Sequence, residues 1–233
     1  AATPHFWTSV LRSRSRWQRS SWPLLDNARR SILNANVADR KFVQEYMIRS
    51  ADVQKTAADE CAEEIISAAE LVATAFDNSG KLLLCGNGGS AADCQHMATE
   101  FTNQLTRDFV RPALPAIALT TDTSFLTAYS NDTDYEGVFG RQIEALGNPG
   151  DVLIGISTSG GSQNVVKAMK TAKAANMKII ALMGAAGKMS DLADVAICVP
   201  SEHTQYIQEC HLAIEHLICD LVERKLFKSE CIA

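Results

Sequence analysis

Lys81-Leu82-Leu83-Leu84-Cys85-Gly86-Asn87-Gly88-Gly89-Ser90-Ala91-Ala92-Asp93-Cys94-Gln95-His96 is the stretch that decides the fold. The apolar run Leu82 to Cys85 is too short for a helix and does not alternate, so it reads as a strand buried on both faces of a parallel sheet. A Gly/Ser loop follows and leads directly into a helical stretch, Ala91 to Leu105. The same alternation continues down the chain. Apolar runs at Ala116 to Leu119, Val152 to Ile156, Ile179 to Met183 and Val195 to Val199 predict four more strands. Helical stretches at Val138 to Leu146, Asn164 to Ala174 and Tyr206 to Phe227 separate or follow them. Alternating strands and helices define an α/β fold, here a doubly wound three-layer sandwich on a five-stranded parallel sheet, in one domain without internal repeat.

Upstream of this unit, Phe42, Tyr46, Met47, Ala57, Cys61, Ile65, Ala68, Val72 and Phe76 recur at three- and four-residue spacing and end at Asn78-Ser79-Gly80. That pattern predicts extra N-terminal helices, either two or one long bent one. Residues 1–38 differ in composition: Arg12, Arg14, Arg16 and Arg19 alternate with serines, and no acid precedes Asp26. An organelle transit peptide has this composition, and a disordered extension is the alternative. The expected organisation is therefore an extension over 1–38 and a folded domain over 39–233.

The 233 residues carry a formal net charge of -5, with 46% hydrophobic and 21% charged residues. That balance supports a packed core, and it lacks the basic field that nucleic-acid binding draws on, so nucleic acid is not an expected partner. No apolar run reaches the ~20 residues that span a bilayer, so no membrane partner is expected either. Cys61, Cys85, Cys94, Cys198, Cys210, Cys219 and Cys231 form no C-x-x-C pair and sit mostly in apolar segments, which fits reduced thiols in a cytoplasmic compartment.

In an open parallel sheet, ligands bind beyond the carboxyl ends of the strands. Two loops stand there: Gly86-Asn87-Gly88-Gly89-Ser90 after the first strand, and Ser157-Thr158-Ser159-Gly160-Gly161-Ser162 after the third. Glycines let an anion approach the backbone, helix N-terminal N–H groups point at it, and serine hydroxyls donate to it. The plainer alternative makes Ser90 and Ser162 helix caps and the glycines simple turn formers. Two such loops in one sheet favour a phosphate. Neither is a P-loop, and the second strand ends in Leu119-Thr120-Thr121 rather than a ribose-binding acid, which disfavours a dinucleotide.

On the helix after the first loop, His96 and Glu100 are four residues apart and share a face. The spacing suits two ligands of one metal ion, or a ligand and a base, and equally an exposed ion pair. The last helix offers Gln208, His211, Glu215 and His216. At about 100° per residue, His211 and Glu215 lie closer to the direction of Gln208 than His216 does, so helix geometry does not single out His216. A surface pair of His211 with Glu215 is the plain alternative.

Together these blocks resemble the sugar isomerase (SIS) domain and, within it, the phosphoheptose isomerases. The resemblance covers about residues 40–227. It runs through the first loop, Arg111-Pro112 with Pro115 to Ala118, Asn131-Asp132, Gly150 to Leu153, Gly155 to Gly160, and Ile207-Gln208-Glu209 ahead of His216. It implies substrate contacts from Asn87, Gly88, Gly89, Glu100, Asn131, Asp132, Ser157, Thr158, Ser159, Ser162 and Gln208. It also implies a metal site of His96, Glu100, Gln208 and His216, thereby selecting His216 over His211. The extension before residue 38, the Ala91, Ala92 and Gln95 positions, and Gly161 depart from the family pattern.

The activity so implied is an aldose–ketose isomerase converting sedoheptulose 7-phosphate to D-glycero-D-manno-heptose 7-phosphate through an enediol, within a homotetramer whose active sites are shared between subunits. Glu100 would be the base and His216 the acid, assisted by a divalent ion, Zn²⁺ on the strength of its imidazole ligands. Two alternatives share the domain. One is a noncatalytic binding protein of the DnaA initiator-associating type, which as a group lacks equivalents of Glu100 and His216. The other is a sugar-phosphate sensor, which would need a DNA-binding module that residues 1–38 do not resemble.

Overall fold

The structure is a computed structural model that describes residues 23–184 and 187–227. The apolar runs form β1 (Leu82–Gly86), β2 (Ala116–Ala118), β3 (Val152–Ser157), β4 (Lys178–Met183) and β5 (Val195–Cys198). They make one sheet in the order β2-β1-β3-β4-β5, with every pairing parallel. The chain therefore leaves β1 toward one edge and returns at β3 to build toward the other. Strands β1 and β3 flank the point where the winding reverses, the place where open α/β sheets bind ligands. Gly86 lies opposite Ile156 in the register, so the loops after these two strands leave the sheet side by side.

The helices are α1 (Pro23–Glu60), α2 (Ala62–Asp77), α3 (Gly89–Thr102), α4 (Thr123–Asp132), α5 (Val138–Leu146), α6 (Gln163–Ala174) and α7 (Thr204–Phe227). Period-two alternation in the strands sends side chains to both faces. Leu82, Leu84, Ile154, Ile180 and Leu182 pack with Val72, Met97, Phe101, Ile214 and Ile218 of α2, α3 and α7. Leu83, Leu153, Ile179 and Ala181 pack with Phe139, Ile143, Val165 and Met169 of α5 and α6. Two cores with a sheet between them make the three-layer sandwich that the sequence predicts.

Of the two N-terminal options, the structure has two helices, α1 and α2, separated at Cys61 (φ -117°, ψ 3°). The chain divides into two compact units, residues 1–47 and 48–233. In the first, the described residues are helical from Pro23, the Phe42 and Tyr46 rings lie 6.4 Å apart and tilted at 47°, and Val37, Phe42, Val43 and Met47 are exposed. The last residues of the expected extension thus belong to α1, while the Arg/Ser-rich run before Trp22 lies outside the described residues. Among the described residues, no helix is long and apolar enough to cross a membrane. Cys61, Cys85, Cys94, Cys198, Cys210 and Cys219 are free, and burial pushes the Cys85 thiol up to about 12.

Candidate active site

The first loop is shaped by close approach. Gly88 caps α3 at φ 57°, in the left-handed region that favours glycine. A Cβ on Gly89 would lie 2.1 Å from Gln208 Nε2, so only glycine there lets α7 bring that amide against the start of α3. Asn87 is held by a reciprocal amide pair with the buried Asn164 at the start of α6: each Nδ2 donates to the other's Oδ1, at 2.9 and 2.8 Å. Tyr135 Oη adds a donor to Asn87 Oδ1 at 3.0 Å. The first loop is therefore bonded to the start of α6, the helix that follows the second loop. Asn164 and Tyr135 were not anticipated, because neither belongs to a local motif.

In the second loop, Ser157 Oγ lies 2.8 Å from Ser162 Oγ and 3.3 Å from Ser159 Oγ. Ser162 precedes α6 yet makes no side-chain capping bond, so its hydroxyl is turned into the serine cluster instead of serving the helix. Thr158 continues the loop, its carbonyl accepting from Gly184 N–H at 3.2 Å. Three hydroxyls beside the N-terminus of a twelve-residue helix form a cluster able to donate to an anion. Asn131 and Asp132, at the end of α4, are exposed and bonded to each other, Nδ2 to Oδ1 at 2.8 Å, rather than to either loop.

Helices α3 and α7 bring three of the expected metal residues together. His96 Nε2 faces His216 Nε2 at 2.7 Å and lies 3.5 Å from Glu100 Oε1. One ligand atom from each of His96, Glu100 and His216 falls within 4.8 Å of the other two. Glu100 Oε2 is buried without a hydrogen-bond partner among the described residues. Two imidazole nitrogens and a carboxylate gathered in one place, with an acceptor left unsatisfied, are a donor set that could hold a divalent metal ion. Gln208 has its amide engaged elsewhere, Nε2 donating to Asp93 Oδ2 at 3.3 Å. Burial raises the Asp93 pKa, opposed by this bond from Gln208 and by nearby His96.

His211 and Glu215 are not a surface pair. Both are buried, at 0% and 1% exposure, because the apolar side of α7 is broad enough to include them. No hydrogen bond joins Glu215 to His211, and burial pushes the Glu215 carboxyl up to about 9, with the charge of Asp93 adding to the effect. Burial drives the His211 imidazole down to about 4. The structure also reveals an ion pair buried beneath the site, Arg111 with Glu223, which no local spacing announces.

A reversing parallel sheet, two Gly/Ser loops at its switch point and a His/Glu cluster between α3 and α7 define a doubly wound α/β domain with a candidate ligand site. Residues 45–184 match the SIS domain family, and the chain belongs to it. Its similarity is narrower than the domain. It is 50% identical over 189 residues to the phosphoheptose isomerase of Roseiflexus sp. (strain RS-1), covering 81% of this chain and 95% of that protein. The solved phosphoheptose isomerase of Neisseria gonorrhoeae superposes with a TM-score of 0.74 at 43% identity, over 79% of this chain and 98% of that one. The Francisella tularensis phosphoheptose isomerase gives 0.76 at 35% identity, over 80% and 98%.

Proposed function

We infer that the chain is an aldose–ketose isomerase acting on a phosphorylated seven-carbon sugar, interconverting sedoheptulose 7-phosphate and D-glycero-D-manno-heptose 7-phosphate. The observation that carries this reading is the convergence of His96, Glu100 and His216 where α3 meets α7. The noncatalytic alternative has no use for an assembled acid–base set, and the chain's relatives are phosphoheptose isomerases.

Isomerisation moves one proton between neighbouring carbons and another between their oxygens. Glu100 removes the proton from the carbon beside the carbonyl, giving the enediol, and returns it to the adjacent carbon. His216 relays the hydroxyl proton from one oxygen to the other. The serine cluster of Ser157, Ser159 and Ser162 with the α6 N-terminus anchors the phosphate, and Asn87, Gly88, Gly89, Thr158, Asn131 and Asp132 line the sugar. That remote binding holds the reacting carbons against Glu100. His96, Glu100 and His216, with Gln208 as a fourth ligand, would hold a divalent ion, zinc by its donor set, which supplies Lewis-acid polarisation of the carbonyl.

The protein is further proposed to work as a homotetramer with shared sites. On α7, Leu212 and Leu217 are exposed on either side of His216, an apolar surface that a second copy would cover. The free thiols suit a reducing, cytoplasmic compartment. The test is an assay of the purified chain with sedoheptulose 7-phosphate, with and without a chelator. Chelator-sensitive appearance of the aldose is expected, and a fully metal-loaded, folded chain that leaves the ketose untouched would overturn the reading.

A further inference from the structure

Arg111 lies on no helix or strand and reaches no substrate loop, yet its side chain is 1% exposed and opposed by Glu223, also 1% exposed. Each of its three guanidinium nitrogens donates a hydrogen bond. Nε donates to Glu223 Oε1 at 2.8 Å, Nη1 to the carbonyls of Phe101 at 2.9 Å and Pro112 at 3.0 Å, and Nη2 to the carbonyl of Glu100 at 2.6 Å. The carbonyls of Glu100 and Phe101 belong to the last turn of α3, where backbone acceptors lack partners within the helix and a cation is favoured. Glu223 stands on α7, seven residues beyond His216 and so on nearly the same side of that helix. One guanidinium thus grips the backbone of Glu100 itself while bonded to the helix that carries His216.

Buried ion pairs contribute little net stability compared with an apolar replacement, so stability alone is a weak account of this one. We propose that Arg111 and Glu223 are positioning residues, a clamp between α3 and α7 that sets Glu100 and His96 against His216. The catalytic part of this proposal rests on the isomerase reading above; the metal-binding part does not.

Arg111→Lys keeps the charge for Glu223 but offers a single ammonium that cannot span both carbonyls. The full chain is read in three ways: folding by circular dichroism and melting temperature, Zn²⁺ affinity by competition with a chromogenic chelator, and kinetics on sedoheptulose 7-phosphate. Supporting residues around metal ligands typically account for ~10–100-fold in affinity or activity. The expected result is a folded chain with Zn²⁺ affinity and kcat each lowered by about 10-fold or more and KM little changed. Lys81→Met is the control: it breaks another shielded pair, Lys81 Nζ to Asp151 Oδ2 at 2.5 Å, at the opposite end of β1 and β3. It is expected to lower the melting temperature while sparing Zn²⁺ affinity and kcat. If Arg111→Lys behaves as this control does, the clamp is structural only and the proposal falls. Should Arg111→Lys fail to fold, Glu223→Gln, which retains an acceptor for Nε, is judged by the same readouts. A wild type that binds Zn²⁺ but never isomerises would sink the isomerase reading, and the Zn²⁺ competition would still decide the clamp.

Discussion

His96 Nε2 and His216 Nε2 face each other at 2.7 Å with their ring planes 79° apart, although 120 residues separate them in sequence. One ring nitrogen can donate to the other along that line. The Glu100 carboxylate beside them adds acceptors and no donor, so the cluster is rich in lone pairs and attracts a cation. Zinc should therefore stabilise the fold by linkage, by about 2.7 kcal/mol at a free concentration a hundred times Kd. Thermal melts with and without Zn²⁺ read this directly. His96→Asn should shrink the shift, and a wild-type melting temperature indifferent to zinc would count against the site.

Glu100→Gln preserves shape and a potential ligand oxygen but loses the basic carboxylate. Its kcat should fall by at least ~100-fold with the fold and substrate binding retained, the usual contribution of a positioned base. His216→Asn should cost as much. His211→Asn is the informative comparison, since His211 is fully buried on the same helix and outside the cluster. If it lowered kcat as far as His216→Asn in a folded chain, the acid would have been misassigned.

Removing the hydroxyl of Ser157 or Ser162 deletes a donor from the proposed phosphate anchor and leaves its 2.8 Å partner unsatisfied. Hydrogen bonds to charged groups are worth about 1.5–3 kcal/mol, which predicts substrate binding weakened roughly 10- to 150-fold in Ser157→Ala or Ser162→Ala. Isothermal titration with the sugar phosphate measures it. Unchanged affinity in both variants would move the phosphate elsewhere.

What the sequence discloses and what it hides follow from range. The strands and their loops are contiguous, so Leu82 to Ser90 could be read as strand, turn and helix start without knowing any neighbour. Helix α4 was not read, because none of its residues is buried and no apolar period marks it; its one local signal is Asp122, whose side chain accepts from Phe125 N–H at 2.9 Å. The His211 and Glu215 spacing suggested a surface pair because i,i+4 neighbours on a helix usually meet in water. Only the packing of α7 against the sheet and α3 shows that side to be interior. Asn87 with Asn164, Gln208 with Asp93, and Arg111 with Glu223 join residues 77, 115 and 112 positions apart, and no local pattern encodes such pairs. Of the metal set, helix periodicity put His96 with Glu100, whereas His216 was singled out by family resemblance alone.

Burial of His211 and Glu215 should leave a mark on stability against pH. The His211 pKa falls to about 4 in the fold from its ordinary value of 6.5, so between those values the unfolded chain holds a proton that the native one does not. Stability from this residue is present above pH 6.5 and is lost as pH falls toward 4. Glu215 acts in the opposite sense: raised from 4.5 to about 9, it holds a proton only in the native state across that range, and stability declines as pH climbs through it. Between pH 4.5 and 6.5 the two slopes offset each other. His211→Leu removes one of them and leaves Glu215 unopposed. The variant should therefore gain stability relative to wild type on going from pH 7 to pH 5, by about 2 kcal/mol at 1.36 kcal/mol per pKa unit. Denaturant unfolding at the two pH values measures the difference, with activity at pH 7 confirming an intact site. A wild-type-to-variant gap that stays constant between pH 5 and pH 7 would mean that His211 is not held neutral by its burial.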